Sequence, residues 1–206
     1  MKEKLTFYYG SMEGGKTTRI FQMLYVLEKN NQQVLVIKSA EDTKGDGSIV
    51  NRQKEQRKVD ILLQPGETLL SGENLEKIFN CTHIIVDEAQ FLDSKQVEEI
   101  WQINKRMNIG VTCFGLRSNS KTDYFEGTAR LFAMADEVKK IETNALCACG
   151  SEAVFNARLV DGEFTMEGED IVIDGENSRV KYVPLCGECF HKKVYIRRRK
   201  NKCPDK

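Results

Sequence analysis

Residues Phe7 to Arg19 read FYYGSMEGGKTTR. An aromatic, β-prone run gives way to two adjacent glycines, and Lys16 and Thr17 follow them. Gly10, Gly15, Lys16 and Thr17 fit G-x-x-x-x-G-K-[ST], a loop that cradles nucleotide phosphates when a strand precedes it and a helix follows. Both flanks are legible, because LTFYY alternates as a strand and TTRIFQMLYVLEK carries apolar residues at helical spacing. Glycines let successive N–H groups curl around an anion, and the helix adds its positive end. Lys16 would reach the terminal phosphates and the Thr17 hydroxyl would ligate magnesium.

Working outward, the chain has 206 residues, enough for one ordinary domain with a small appendage. Lys plus Arg equal Asp plus Glu at 31 each, so no global field draws the chain to nucleic acid or to an anionic membrane. A small substrate suits it better. The N-terminus lacks a signal-peptide core and no stretch is apolar for long enough to span a bilayer. Seven cysteines without a secretion signal read as reduced thiols and point to a cytoplasmic protein.

Up to residue 142, strand and helix alternate. QVLVIKS, a short strand at Ile61 to Leu63, HIIVD and IGVTCFG are separated by the helical segments ENLEKIFN and SKQVEEIWQINKRM; GTARLFAMA and the strand DEVKKIE follow. Short apolar strands between helices imply a parallel sheet covered on both faces, with ligands at the carboxyl ends of the strands. Gly10, Asp87 and Leu116 end three of these strands, so their segments should meet in one crevice. The segment EDTKGDGSIVNRQKEQRK is almost devoid of apolar residues and is expected to be a mobile loop. Residues 143–195 are expected to form a separate lobe of short strands and turns held by cysteines, followed by a basic tail at 196–206.

Asp87 and Glu88 end the strand HIIVD. Asp87 suits a magnesium-side role, and Glu88, on the opposite side of the chain, suits a general base toward an attacking hydroxyl or water. Cys147 and Cys149, then 36 residues, then Cys186 and Cys189 form C-x-C and C-x-x-C. Two close pairs of thiolates suit a closed tetrahedral zinc, with His191 as a substitute ligand. Cys81, Cys113 and Cys203 read as ordinary thiols. Lys192 to Lys202 carries seven basic residues and no acid, a solvated terminal run.

Taken in order, FYYGSMEGGKTT, VDEAQFL, CFGLR, GTARLF, ALCACG, VIDG and YVPLC resemble the type II thymidine kinases over nearly the whole chain. The resemblance implies a RecA-like phosphate-loop core with a zinc lobe and transfer of the ATP γ-phosphoryl group to the 5′-hydroxyl of thymidine. It further implies a homotetramer inhibited by dTTP. It assigns Ser11, Met12, Glu13, Gly14, Gly15, Lys16, Thr17 and Thr18 to the ATP phosphates, with Asp87 and Gln90 on the same side, and Glu88 as base. Met12 would lie under the thymine, Phe91, Leu116 and Phe125 would wall the nucleoside, and a lasso from about 168 to 182, with Ile173 and Tyr182, would hold the base.

Some positions depart from the family pattern. Asn119 and Ser120 replace an Asp-Phe pair and would make one pocket wall less apolar; Asp174 interrupts an Ile-Gly-Gly turn, extra residues precede Tyr182, Gly187 replaces an arginine, and Asn51 to Lys54 replace Ser-Arg-x-Gly. All lie on the nucleoside or loop side. Two alternatives therefore stand beside thymidine kinase: a deoxynucleoside kinase with a shifted acceptor, and a phosphate-loop switch or ATPase, which the neutral charge disfavours.

Overall fold

The computed structural model describes residues 2–42, 47–51, 53–142, 145–168 and 179–196. The first half runs β1 (Leu5–Gly10), α1 (Lys16–Lys29), β2 (Val34–Ser39), β3 (Ser48–Val50), β4 (Gln56–Lys58), β5 (Ile61–Leu63), α2 (Gly72–Phe79) and β6 (His83–Asp87). A single 3-10 turn (Ala89–Phe91) leads to α3 (Ser94–Met107), β7 (Gly110–Leu116), α4 (Glu126–Met134) and β8 (Glu137–Lys140). The C-terminal part holds β9 (Phe155–Val160), β10 (Glu163–Thr165), β11 (Val180–Leu185) and α5 (Gly187–Phe190), which continues as a π-helical turn to Tyr195.

Six strands form a sheet in the order β5-β2-β6-β7-β1-β8, and every pairing in it is parallel. Period-two alternation sends successive side chains to two cores. Leu5, Phe7, Leu35, Ile37, Ile84, Val86, Val111 and Cys113 face the helices α2, α3 and α4, meeting Ile78, Val97, Ile100, Ile103 and Leu131. Val36, Ile85 and Phe114 face the other way, onto Ile20 and Leu24 of α1. Both faces are covered, as near-continuous apolar strands require. The start of α3 is fixed by a reciprocal capping box between Asp93 and Gln96.

The polar segment 41–58 is not the featureless loop that its composition suggests. Strands β3 and β4 make an antiparallel hairpin, closed by Asn51, whose Oδ1 accepts from the Glu55 amide at 3.0 Å. Among its described residues a single buried apolar one, Ile49, pins it against the α1 core. Residues 43–46 and 52 fall outside the described ones. The cysteine lobe likewise differs from strands and turns alone: α5 and its π-helical extension place Phe190 and Val194 in a third core with Ala157, Met166 and Leu185. Four residues of α-helix are too short to leave a periodic signal.

Gly127 of α4 marks where this helix meets the 3-10 turn. A Cβ there would lie 2.4 Å from the Ala89 carbonyl oxygen and 2.7 Å from that of Leu92. Gly127→Ala should therefore destabilise the protein by about 1–3 kcal/mol, the scale of forced overpacking. Equilibrium denaturation measures this, and an unchanged midpoint would show that the helix and turn separate freely.

Candidate active site

Strands β6, β7 and β1 are neighbours, so their carboxyl ends lie side by side: Gly10 is opposite Leu116, and Asp87 is opposite Lys38 of β2. Three motif segments thus emerge at one edge. The loop after β1 turns through left-handed Glu13 (φ 62°) and Gly15 (φ 85°), then enters α1 at Lys16. Such alternation aims backbone N–H groups into a shared concavity. Gly10, Ser11, Gly14 and Lys16 are buried and Met12 and Thr17 half-buried, while Glu13, Gly15 and Thr18 are exposed. The Ser11 hydroxyl is fully enclosed and has no hydrogen-bond partner among the described residues, which suits a donor that an incoming anion would engage. A groove of about 730 Å³ opens beside Gly14, Gly15 and Thr18, bounded by Tyr8, Gln22 and Lys139 to Glu142.

Asp87 is 5% exposed, and its Oδ1 accepts the Glu88 amide at 2.9 Å. Burial pushes its carboxyl up to about 7, the charge of Glu88 adds to this, and Lys16 and Lys38 oppose it. Lys38 is itself buried and paired with Asp42 at 2.9 Å. A dication bound beside Asp87 would offset the burial penalty on its charged form. Glu88 adopts a left-handed backbone (φ 51°, ψ 40°), an uncommon conformation that clusters at functional sites. Gln90, which the family resemblance puts on the nucleotide side, is 1% exposed and uses its amide within the protein. Its Nε2 donates to Glu88 Oε2 at 2.5 Å, and its Oε1 accepts from the Leu116 amide at 3.0 Å. One side chain therefore links the end of β7 to the carboxylate after β6. Gly115 leaves the room, since a Cβ there would lie 3.0 Å from Gln90 Oε1.

On the nucleoside side, Phe91 and Phe125 meet edge to face with ring centroids 5.7 Å apart. Leu116 ends β7, and its carbonyl accepts the buried Thr128 hydroxyl at 2.8 Å. Beside these rings lies a cavity of about 240 Å³ that Glu41 and Asp93 also line. Asn119 is buried. Its Oδ1 accepts the amides of Lys121 and Asp123 at 3.0 and 2.9 Å, so the side chain braces its own loop. Tyr182 stands on β11 opposite Arg158, half-buried. Ile173, Asp174 and most of the expected lasso lie outside the described residues, as do Cys203 and residues 197–206.

Cys147, Cys149, Cys186 and Cys189 gather with all four sulfurs within 4.8 Å of one another. Cys149 and Cys186 sulfurs are 3.6 Å apart. Tetrahedral zinc with Zn–S near 2.3 Å requires sulfur separations of about 3.8 Å, so the donors fit. The Ser151 amide draws the Cys149 thiol down to about 6, while the sulfurs of Cys147, Cys149 and Cys186 push Cys189 up to about 12. Four thiolates this close need a cation. His191 instead stacks on Tyr195 at 5.7 Å.

The thymidine kinase family model matches residues 3–190. The chain belongs to the thymidine kinase family. A thymidine kinase of Chromobacterium violaceum is 34% identical over 190 residues, covering 91% of this chain and 98% of that one. One from Haemophilus influenzae is 35% identical over 196 residues, covering 90% and 98%. Among solved structures, a replication initiator DnaA bound to AMPPCP and single-stranded DNA has a TM-score of 0.43 at 18% identity, over 69% of this chain and 41% of that one. Membership of this family makes the chain an ATP-dependent thymidine kinase.

Sequence reasoning passed over two residues. Asn156 and Arg158 are buried polar groups on β9, and Asn156 Oδ1 accepts the Met12 amide of the loop at 2.8 Å. Polar residues at alternate positions in FNARL were the available signal.

Asp87 sets a testable pH dependence. Its folded pKa is raised above the ordinary 3.8 to about 7, so between these values the unfolded chain gives up a proton that the fold retains. Stability from this group falls as pH rises through that window and stays lower above about 7. Without nucleotide or magnesium, Asp87→Asn should melt above the wild type at pH 8, with the gap closing toward pH 4. A gap independent of pH, measured by thermal unfolding, would contradict the assignment.

Proposed function

We propose that this chain transfers the γ-phosphoryl group of ATP to the 5′-hydroxyl of thymidine, with Glu88 as general base. The observation that carries this reading is the convergence of the loop at Gly10, the acids at Asp87 and Glu88, and the aromatic pair Phe91 and Phe125 at one edge of the sheet. The loop from Ser11 to Thr18 wraps the phosphates with the backbone amides of Gly15 to Thr18, since those of Met12 and Gly14 are taken within the protein, and Lys16 stabilises charge on the group in flight. Thr17 and Asp87 would hold magnesium, which would supply neutralisation of the charge that develops on the phosphates. Ribose and adenine occupy the groove bounded by Tyr8 and Gln22.

The nucleoside rests against Phe91, Leu116 and Phe125 with Met12 beneath the base and Tyr182 and Ile173 closing over it. Its hydroxyl loses a proton to the Glu88 carboxylate as the bond to phosphorus forms, and Gln90 keeps that carboxylate oriented. The four cysteines bind zinc that contributes folding free energy only. The working assembly is a cytoplasmic homotetramer, a reading supported by the family likeness and the reduced thiols.

Lys16→Ala should lower turnover at least about a hundredfold, the scale of losing one transition-state donor. Glu88→Gln keeps the shape and removes the basicity. Its rate constant should drop roughly 10²- to 10⁴-fold while ATP and thymidine still bind. Coupled assays with ATP and a nucleoside panel read both; weakened ATP binding with intact turnover in Glu88→Gln would transfer the base role to another residue.

A further inference from the structure

The small sheet has two unlike faces. Along β9, Phe155 and Ala157 turn into the cysteine lobe's own core with Leu185 and Phe190, and Phe155 stacks on Phe190 at 4.8 Å. The alternate residues, Asn156 and Arg158, turn the other way. Both are polar and nonetheless only 4% and 8% exposed. Arg158 is pressed against Gly168, where a Cβ would fall 2.2 Å from its guanidinium. Asn156 reaches out of the lobe altogether, onto the Met12 amide at 2.8 Å, a contact spanning 144 residues of sequence.

In the phosphate loop, Gly14 N–H donates to the Ser11 carbonyl at 3.2 Å and closes a turn. Met12 lies inside that turn, followed by the left-handed Glu13. Rotation of the peptide before Met12 would redirect the amides that must point at phosphate. An acceptor fixed on a neighbouring strand opposes this rotation. The strand bearing it is seated independently, because Arg117 donates its amide to the Gly10 carbonyl at 3.4 Å and lays its guanidinium 5.2 Å from the centroid of the Phe155 ring. The start of β9 is therefore fastened on one side to the end of β1 and on the other to the loop that follows it.

We propose that Asn156 is a positioning residue of the kinase: by accepting the Met12 amide it holds the phosphate loop in its anion-binding shape, so that the cysteine lobe sets ATP affinity. The inference rests on the phosphate-binding reading of the loop. A loop already in its binding shape pays no ordering penalty when the triphosphate arrives. Loss of one neutral hydrogen bond of this kind should weaken ATP binding about three- to tenfold. Turnover of the bound complex should change little, because the Asn156 oxygen serves the Met12 amide while the Asp87 and Glu88 carboxylates engage the Glu88 amide and Gln90.

The test compares the wild type with Asn156→Leu, which keeps the side-chain bulk and removes the acceptor. The KM for ATP should rise about three- to tenfold, with kcat within about twofold and the thymidine KM rising less than that for ATP. Inorganic tripolyphosphate, which lacks ribose and base, should lose inhibitory strength by the same factor as ATP loses affinity. An unchanged ATP KM in folded, zinc-loaded Asn156→Leu would overturn the proposal, as would equal losses for both substrates alongside a lowered melting temperature. Failure of tripolyphosphate to compete with ATP in the wild type would instead overturn the phosphate-loop reading beneath it. If Asn156→Leu does not fold, amide exchange in the wild type decides: the Met12 amide must be protected, and exchange at the rate of an unstructured peptide would refute the contact.

Discussion

The side-chain amide of Gln90 is the interaction on which the site depends. It spans two adjacent strand ends, accepting the Leu116 amide and donating to Glu88. Being 1% exposed, it has no water to fall back on, so each half of the amide must find its partner in the fold. Gly115 supplies the space for the acceptor half. The 3-10 turn that carries Gln90 is in turn held by the close approach of Gly127. The parallel pairing of β6, β7 and β1, the turn after β6 and the entry of α4 thereby converge on the orientation of one carboxylate.

The cysteine lobe extends this logic from the acceptor side to the donor side. A sheet of three short strands has too little apolar surface to stand by itself, and its core of Ala157, Met166, Leu185, Phe190 and Val194 is small. Four convergent sulfurs supply the missing cohesion if a metal joins them. Once rigid, the lobe presents Asn156 to the phosphate loop, from a strand whose Arg158 lies opposite Tyr182 of β11.

Much of this was readable from the chain because local and tertiary demands agreed. Strands β2, β6 and β7 are apolar on both faces and so declare a buried parallel sheet, and α3 runs from Ser94 to Met107 with its capping residues in place. The phosphate loop and the cysteine pairs are carried by spacing alone. The rest was hidden where tertiary contact replaces pattern. The β3–β4 hairpin has one core residue, Ile49, to set against many charges. Helix α5 is little more than one turn long, too short for its period to repeat. The bracing of the loop by Asn119, whose oxygen accepts two backbone amides, leaves no mark in the pattern. Asn156 gains meaning only from a residue 144 positions earlier.

Gln90 separates a base-orienting bridge from a nucleotide contact, and its replacement by leucine is the most direct test of the account. Gln90→Leu keeps the bulk and removes both halves of the bridge. Steady-state kinetics should then show kcat reduced by at least about tenfold, in line with a misplaced general base. The KM for ATP should stay within about twofold of the wild type, since the loop from Ser11 to Thr18 is untouched. A raised ATP KM with kcat preserved would contradict the account and return Gln90 to the nucleotide.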